Sequence, residues 1–237
     1  MIKYICNIKT AVRPVRRRTR TCPADDRERN KAMKVLMING SPRANGNTQM
    51  ALEEMGKVFE KNGVEYEIVS LSGQKISGCM ACGACAKLGR CVMDDMVNEI
   101  APKLRECDGF VVGTPVYYAS ANGTLISLLD RLFRSRNANL TMKVGACVTA
   151  ARRGGSAVTF DEINKYFAVS GMPIASSEYW NMVFGAKPGE ASEDLEGMRT
   201  MRVLAENMTF LMKSIALGKE KYGLPEREQP VITNFVR

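Results

Sequence analysis

Residues 34–51, KVLMINGSPRANGNTQMA, restrict what this chain can fold into more than any other stretch. Val35 to Ile38 is an apolar run without polar alternation, the pattern of a strand covered on both faces. Gly40 ends it, and Ser41, Pro42, Asn45, Gly46 and Asn47 make a loop of small and polar residues. Thr48 then reads as the N-cap of a helix whose apolar residues Ala51, Leu52, Met55, Val58 and Phe59 fall on one face. A strand, a short loop and a helix N-terminus in succession form an anion site. Backbone N–H groups, the helix dipole and the hydroxyls of Ser41 and Thr48 would converge there on a phosphate. Neither G-x-G-x-x-G nor G-x-x-x-x-G-K-S/T occurs in the stretch, so it is not one of the two common nucleotide loops.

The rest of the chain repeats the alternation. Val64–Leu71 has the polar/apolar period of a sheet-edge strand after an Asn62-Gly63 helix stop. A cysteine-rich segment, 76–93, precedes a helix opened by Asp94 and Asp95 that ends near Cys107. Gly109–Gly113 is a third strand, with residues 114–123 as the loop at its end, followed by a helix through Leu125, Leu128, Leu129 and Leu132. Lys143–Thr149 is a fourth strand with a loop over 150–156, and a helix carrying Val158, Ile163 and Phe167 leads to a fifth strand region, Pro173–Val183. Glu193–Leu217 closes the domain as a long helix with Leu195, Met198, Met201, Leu204 and Leu211 on its apolar face, and residues 218–237 form a tail. Strict β/α alternation with short loops predicts an α/β, doubly wound parallel sheet, and five strands favour the flavodoxin-like order 2-1-3-4-5. Ligands of such sheets lie beyond the carboxyl ends of the strands, at the point where the order reverses. The loops after strands one, three and four meet there.

Composition narrows the chemistry. The 237 residues include no histidine, which removes Ser-His-Asp and Cys-His catalysis and every His-ligated metal and points to chemistry carried by a cofactor. The net charge of +9 is concentrated in residues 1–32, which hold ten basic and three acidic residues against twenty-four and twenty-two in the remaining 205. The core is therefore near neutral and gives no argument for nucleic acid as a partner. Residues 1–32 lack an apolar segment after Arg16-Arg17-Arg18, so they do not read as a secretory signal. They are expected to be a disordered extension before a start at Met33, with a basic binding arm as the alternative. No apolar stretch reaches the roughly eighteen residues of a membrane span, so a cytoplasmic protein with no membrane partner is expected.

Three loops carry a family resemblance. Gly40-Ser41-Pro42-Arg43, followed by Asn47-Thr48, resembles the phosphate loop of flavodoxin-like NAD(P)H-dependent FMN reductases, with Ser41, Arg43, Asn47 and Thr48 on the motif's polar positions. Pro115-Val116-Tyr117-Tyr118, with Leu125 and Asp130-Arg131 downstream, resembles the segment that flanks the isoalloxazine ring in that family, although Ile126 stands where the family usually has lysine. Thr149-Ala150, continuing through Arg153 and Gly154, resembles its last flavin-contact loop. The resemblance spans residues 34 to about 217 and implies FMN as cofactor, NAD(P)H as co-substrate and a homodimer or homotetramer.

The second signal is CMACGACAKLGRC, Cys79, Cys82, Cys85 and Cys91 in thirteen residues. A compact run of thiolates suits an iron–sulfur cluster, with Gly78, Gly83 and Gly89 letting the backbone curl. Its spacing and its place after the second strand resemble the iron–sulfur flavoproteins, a branch of the same family whose motif binds a 4Fe-4S cluster. Zinc, a redox-active thiol pair and a vestigial motif are the competing readings. Cys107 and Cys147 fall on core positions. The reading is an FMN-dependent oxidoreductase that moves electrons from NAD(P)H to a small acceptor, with the cluster as relay. A non-enzymatic electron carrier and a cysteine-based redox sensor are its rivals. Tyr179, Trp180 and Met182 serve either a subunit interface or packing under the last helix.

Overall fold

The computed structural model describes residues 32–135, 139–229, 231 and 233, so the expected N-terminal extension lies outside the described residues except for Ala32. The elements follow in the order β1 (Lys34–Asn39), α1 (Asn47–Lys61), β2 (Glu65–Ser70), α2 (Cys85–Leu88), α3 (Met96–Glu106), β3 (Gly109–Tyr117), β4 (Ser120–Ala121), α4 (Gly123–Ser135), β5 (Val144–Ala151), α5 (Ser156–Val169), β6 (Met182–Phe184), a 3-10 turn (Glu190–Glu193) and α6 (Leu195–Tyr222). The sheet runs β2-β1-β3-β5-β6 with every neighbouring pair parallel, and β4 folds back antiparallel on the end of β3. With that hairpin strand set aside, the order is the flavodoxin-like 2-1-3-4-5.

The unbroken apolar character of β1 has a simple cause. Val35 and Met37 enter the layer beneath α1 and α6, with Leu52, Phe59, Val111, Val148, Met201 and Leu204. Leu36 and Ile38 enter the opposite layer beneath α3, α4 and α5, with Ile100, Phe110, Leu128, Leu132 and Phe167. Both faces are covered, so every position of the strand after Lys34 is buried. Cys107 and Cys147 are buried in the second layer, as their positions predict.

Several boundaries differ from the sequence expectation. The first helix begins at Asn47 with Gly46 as N-cap, so Thr48 is not the cap and is instead buried inside the first turn. β3 does not stop at Gly113 but continues to Tyr117 and turns back through β4, so most of the expected 114–123 loop is a hairpin. β5 likewise extends to Ala151, which makes Thr149 and Ala150 strand residues in register with Thr114 and Pro115. Parallel neighbours supply hydrogen-bond partners as far as the backbones stay adjacent, and small polar residues do not halt the ladder.

The fifth strand region is broken. Ile174 bridges Gly145, the chain leaves the edge, and pairing resumes only at Met182. Tyr179 and Trp180 sit in that excursion, more than half exposed and 4.9 Å apart edge-on, so they do not pack under the last helix, whereas Met182 does enter the core. Val158 and Leu195, assigned above to apolar helix faces, are exposed. The closing helix runs five residues beyond Leu217, to Tyr222. Among the described residues no helix is long and apolar enough to cross a membrane.

Candidate functional site

The loop after β1 is shaped by a buried side chain at the strand's last position. Asn39 accepts from the Ser41 N–H at 3.0 Å through its Oδ1 and donates from Nδ2 to Gln49 Oε1 at 2.8 Å. Gln49 in turn donates to Glu53 at 3.0 Å. Ser41 Oγ accepts from the Arg43 N–H at 3.1 Å, which leaves its own O–H proton free to donate. The N–H groups of Ala44 through Gln49 take no partner among the described residues, and the first helical backbone bond comes only at Met50, to Gly46. A Cβ at Gly46 would sit 3.4 Å from Ser41 Oγ. These residues form a small cradle of convergent donors at a helix N-terminus, with the exposed Arg43 beside it. That geometry suits a phosphate.

Asn47 does something the motif alone does not reveal. Its Oδ1 accepts from the N–H groups of Gly189 and Ala191, at 3.1 and 3.2 Å, on the far segment after β6. Two carboxylates fold that segment. Glu190 accepts from Ala186 and Lys187, and those backbone donors hold its carboxyl below the ordinary value. Asp194 accepts from Phe184 N at 2.7 Å and caps α6 at Gly197 N. Residues 185–191 thereby become a fourth wall of the crevice, one the sequence reading did not include. Three acidic residues between Gly189 and the last helix, Glu190, Glu193 and Asp194, were its only trace.

The hairpin of β3 and β4 stands over the same end of the sheet. Tyr118 and Ala119 form its two-residue turn with φ of 53° and 57°, a left-handed conformation rarely taken by side chains other than glycine or asparagine. Tyr118 is fully exposed and Tyr117 about half exposed, while Pro115 and Val116 are partly covered. Glu162 of α5 anchors the turn by accepting from Ser120 Oγ at 3.0 Å and Ala121 N at 2.8 Å. On the other side the hairpin leans on Gly155, where a Cβ would come within 2.9 Å of Val116 and 3.0 Å of the Ala119 backbone. Arg152, Arg153 and Gly154 are exposed beside it, but Thr149 and Ala150 are buried strand residues, Ala150 within the first core layer. Of the expected flavin contacts, Ser41, Thr48, Thr149 and Ala150 are the buried ones.

The cysteine segment forms a second centre. Cys79, Cys82, Cys85 and Cys91 line a single cavity of about 360 Å³ together with Arg131 and Arg134. Ala81, Gly83 and Gly89 take positive φ and curl the chain around it. Among the described residues no three of these thiols are gathered as the ligands of one ion. Cys79 and Cys82 are exposed, Cys85 half-buried and Cys91 buried. Asn98 clamps the Cys91 backbone on both sides, accepting from its N–H at 3.0 Å and donating to its C=O at 3.1 Å. Arg131 is 1% exposed and pairs through both terminal nitrogens with Asp95, at 2.6 and 2.9 Å. Its Nε and Nη2 donate to Cys91 Sγ at 3.4 and 3.3 Å. In the sequence Arg131 ends the stretch that resembles the ring-flanking segment; in the fold its guanidinium faces Cys91. Ser72, just after β2, donates to the carbonyl of Pro42 in the phosphate loop at 2.8 Å.

Comparison with known proteins finds relatives of this chain. Residues 33–187 match the model of the NADPH-dependent FMN reductase family. An iron–sulfur flavoprotein of Methanocaldococcus jannaschii is 33% identical over 191 residues, 77% of this chain and 99% of that protein. One from Methanosarcina thermophila is 33% identical over 194 residues, covering 80% of this chain and all of the relative. Among solved structures, RosB with a bound riboflavin-phosphate intermediate superposes with a TM-score of 0.60 at 17% identity, over 87% of this chain and 94% of that one. An archaeal flavodoxin superposes at 0.52 and 17% identity, over 76% and 99%. These two show a shared fold. From the family match and the extended identity, the chain belongs to the NADPH-dependent FMN reductase family and groups within it with the iron–sulfur flavoproteins.

Proposed function

We propose that this protein is an FMN-dependent oxidoreductase that takes electrons from NAD(P)H and passes them to a small-molecule acceptor, with a 4Fe-4S cluster in the cysteine cavity as relay. The single observation that carries the reading is the pairing of two centres on one fold, a donor-lined cradle at residues 41–49 and a cavity lined by four cysteines.

Both groups fit what the chain offers. The cradle presents unpartnered N–H groups and the Ser41 hydroxyl to a phosphate, and Arg43 adds a positive charge. The cavity offers four cysteine sulfurs, with Asp130 and Ser135 also on its wall, and a cubane cluster spreads its thiolates to separate corners rather than gathering them on one ion. When bound, FMN supplies two-electron exchange with a nicotinamide and the cluster supplies one-electron exchange. The protein's own part is placement. Asn39 and Gln49 set the shape of the phosphate loop, Asn47 ties it to residues 185–191, and Glu162 fixes the hairpin that carries Tyr117 and Tyr118. Cys79, Cys82, Cys85 and Cys91 would hold the cluster. No side chain is needed as general acid or base, in keeping with a chain that has no histidine. The exposed Tyr179 and Trp180 offer an aromatic surface for a homodimer or homotetramer.

The test is iron, acid-labile sulfide and FMN per chain in protein purified without oxygen, followed by mixing with NADPH. About four irons and four sulfides per flavin are expected, with bleaching of the flavin by NADPH. Flavin without iron would remove the relay, and a flavin inert to NADPH would leave a carrier rather than a reductase.

A further inference from the structure

The four cysteines are not equivalent. Three lie on the curled segment 79–85, and for them the described residues provide only one distant sulfur contact, Cys85 to the Arg134 carbonyl at 4.0 Å. The fourth, Cys91, is fixed at every polar group. Its backbone is clamped by Asn98 and its sulfur receives two N–H donors from one guanidinium. That guanidinium is itself over-determined. It has the bidentate Asp95 pair and further bonds to the carbonyls of Ser77 at 3.2 Å and Met93 at 3.4 Å, so it grips the chain before, after and at the cysteine. Asp95 is also the N-cap of α3, accepting from Val97 N at 3.2 Å, which ties the grip to a rigid element. Placing an arginine almost wholly out of water is costly, and an Asp95 pair on its own does not require two donors aimed at a sulfur.

We infer that Arg131 is a positioning residue for the cysteine cavity: it holds the Cys91 sulfur in place and, through two N–H···S bonds, sets the electron density at that one corner. The inference rests on the cluster reading above. Hydrogen bonds to a ligating sulfur draw charge from it and favour the reduced, more negative form, so they raise a cluster's potential. Lysine at the same position could keep one donor and the charge, but not the planar fork.

The experiment compares the full-length protein, purified without oxygen, with Arg131→Lys and Arg131→Gln. Circular dichroism, iron and sulfide per chain, and a potentiometric titration followed by electron paramagnetic resonance are the readouts. The expected result is a midpoint displaced to more negative potential in Arg131→Gln, with Arg131→Lys between it and the wild type. Loss of iron from a folded Arg131→Gln that Arg131→Lys prevents or reduces supports the same role, as does iron lost from both while each stays folded. If Arg131→Gln does not fold, the midpoint of Arg131→Lys decides. Loaded variants with an unshifted midpoint overturn the inference, and so does unfolding of both, which would make Arg131 a residue of the fold only. Wild-type protein without iron overturns the cluster reading and this inference together, whereas iron with an unshifted midpoint overturns this inference alone.

Discussion

Asn47 illustrates how one side chain can serve a motif and a fold at once. Its carbonyl oxygen accepts from two backbone N–H groups on a segment 142 and 144 residues away, next to the N-terminus of the helix it begins. Asn47→Ala strands both donors and is expected to cost about 1–2 kcal/mol in urea denaturation. Asn47→Asp retains an oxygen for both bonds and is expected to fold nearly as stably. Its added negative charge at the phosphate cradle should nevertheless weaken FMN binding, read as fluorescence quenching on titration. An Asn47→Asp variant that binds FMN as tightly as the wild type would remove Asn47 from the phosphate site. The residue type was legible in the sequence, because it sits on a recognisable loop. Its partner was not, since nothing in residues 185–191 marks their amides as needing an acceptor.

At the scale of elements, the β3–β4 hairpin is the part most dependent on its neighbours. Two consecutive non-glycine residues with positive φ cost on the order of 1–3 kcal/mol each, and such strain persists only where surrounding contacts enforce it. Glu162 supplies the contact, from a helix position 42 residues beyond Ser120 and 41 beyond Ala121. Glu162→Ala is expected to lower stability by about 1–3 kcal/mol and, by loosening the hairpin, to weaken FMN binding by roughly tenfold. Lowered stability with undiminished FMN affinity would place the hairpin outside the flavin site. Sequence periodicity located the strands and helices to within a few residues but read this segment as a plain loop. Tyr118 and Ala119 lack the glycine or asparagine that normally announces such a turn. The Thr48 cap misleads for a different reason: a good capping residue stands one position inside the true helix start at Asn47.

Across the whole molecule, burial on both faces of the sheet has a consequence for pH. Cys107 closes α3 inside the second core layer, and burial pushes its thiol from an ordinary 9.0 up to about 11. Cys147 at the centre of β5 is raised by the same cause. The unfolded chain loses the Cys107 proton first, so unfolding releases a proton in that interval. Its contribution to stability is whole below about pH 9 and declines as the pH climbs to about 11. Urea denaturation at a series of pH values should show the wild type losing stability across that window more steeply than Cys107→Ala. Parallel slopes for the two proteins would discount the thiol.

The sequence by itself determined the class of fold and the two centres. An apolar run without alternation requires a sheet covered on both sides, β/α alternation requires parallel strands, and four cysteines in thirteen residues put four thiols in one local stretch, because each of these depends on neighbours along the chain. What faces what was decided only by the tertiary structure. Arg131 reaches Cys91 from 40 residues away, Glu162 reaches Ala121 from 41, and Asn47 reaches Gly189 from 142. Such bonds are set by how helices dock on the sheet, and a one-dimensional pattern does not encode the docking of a single side chain.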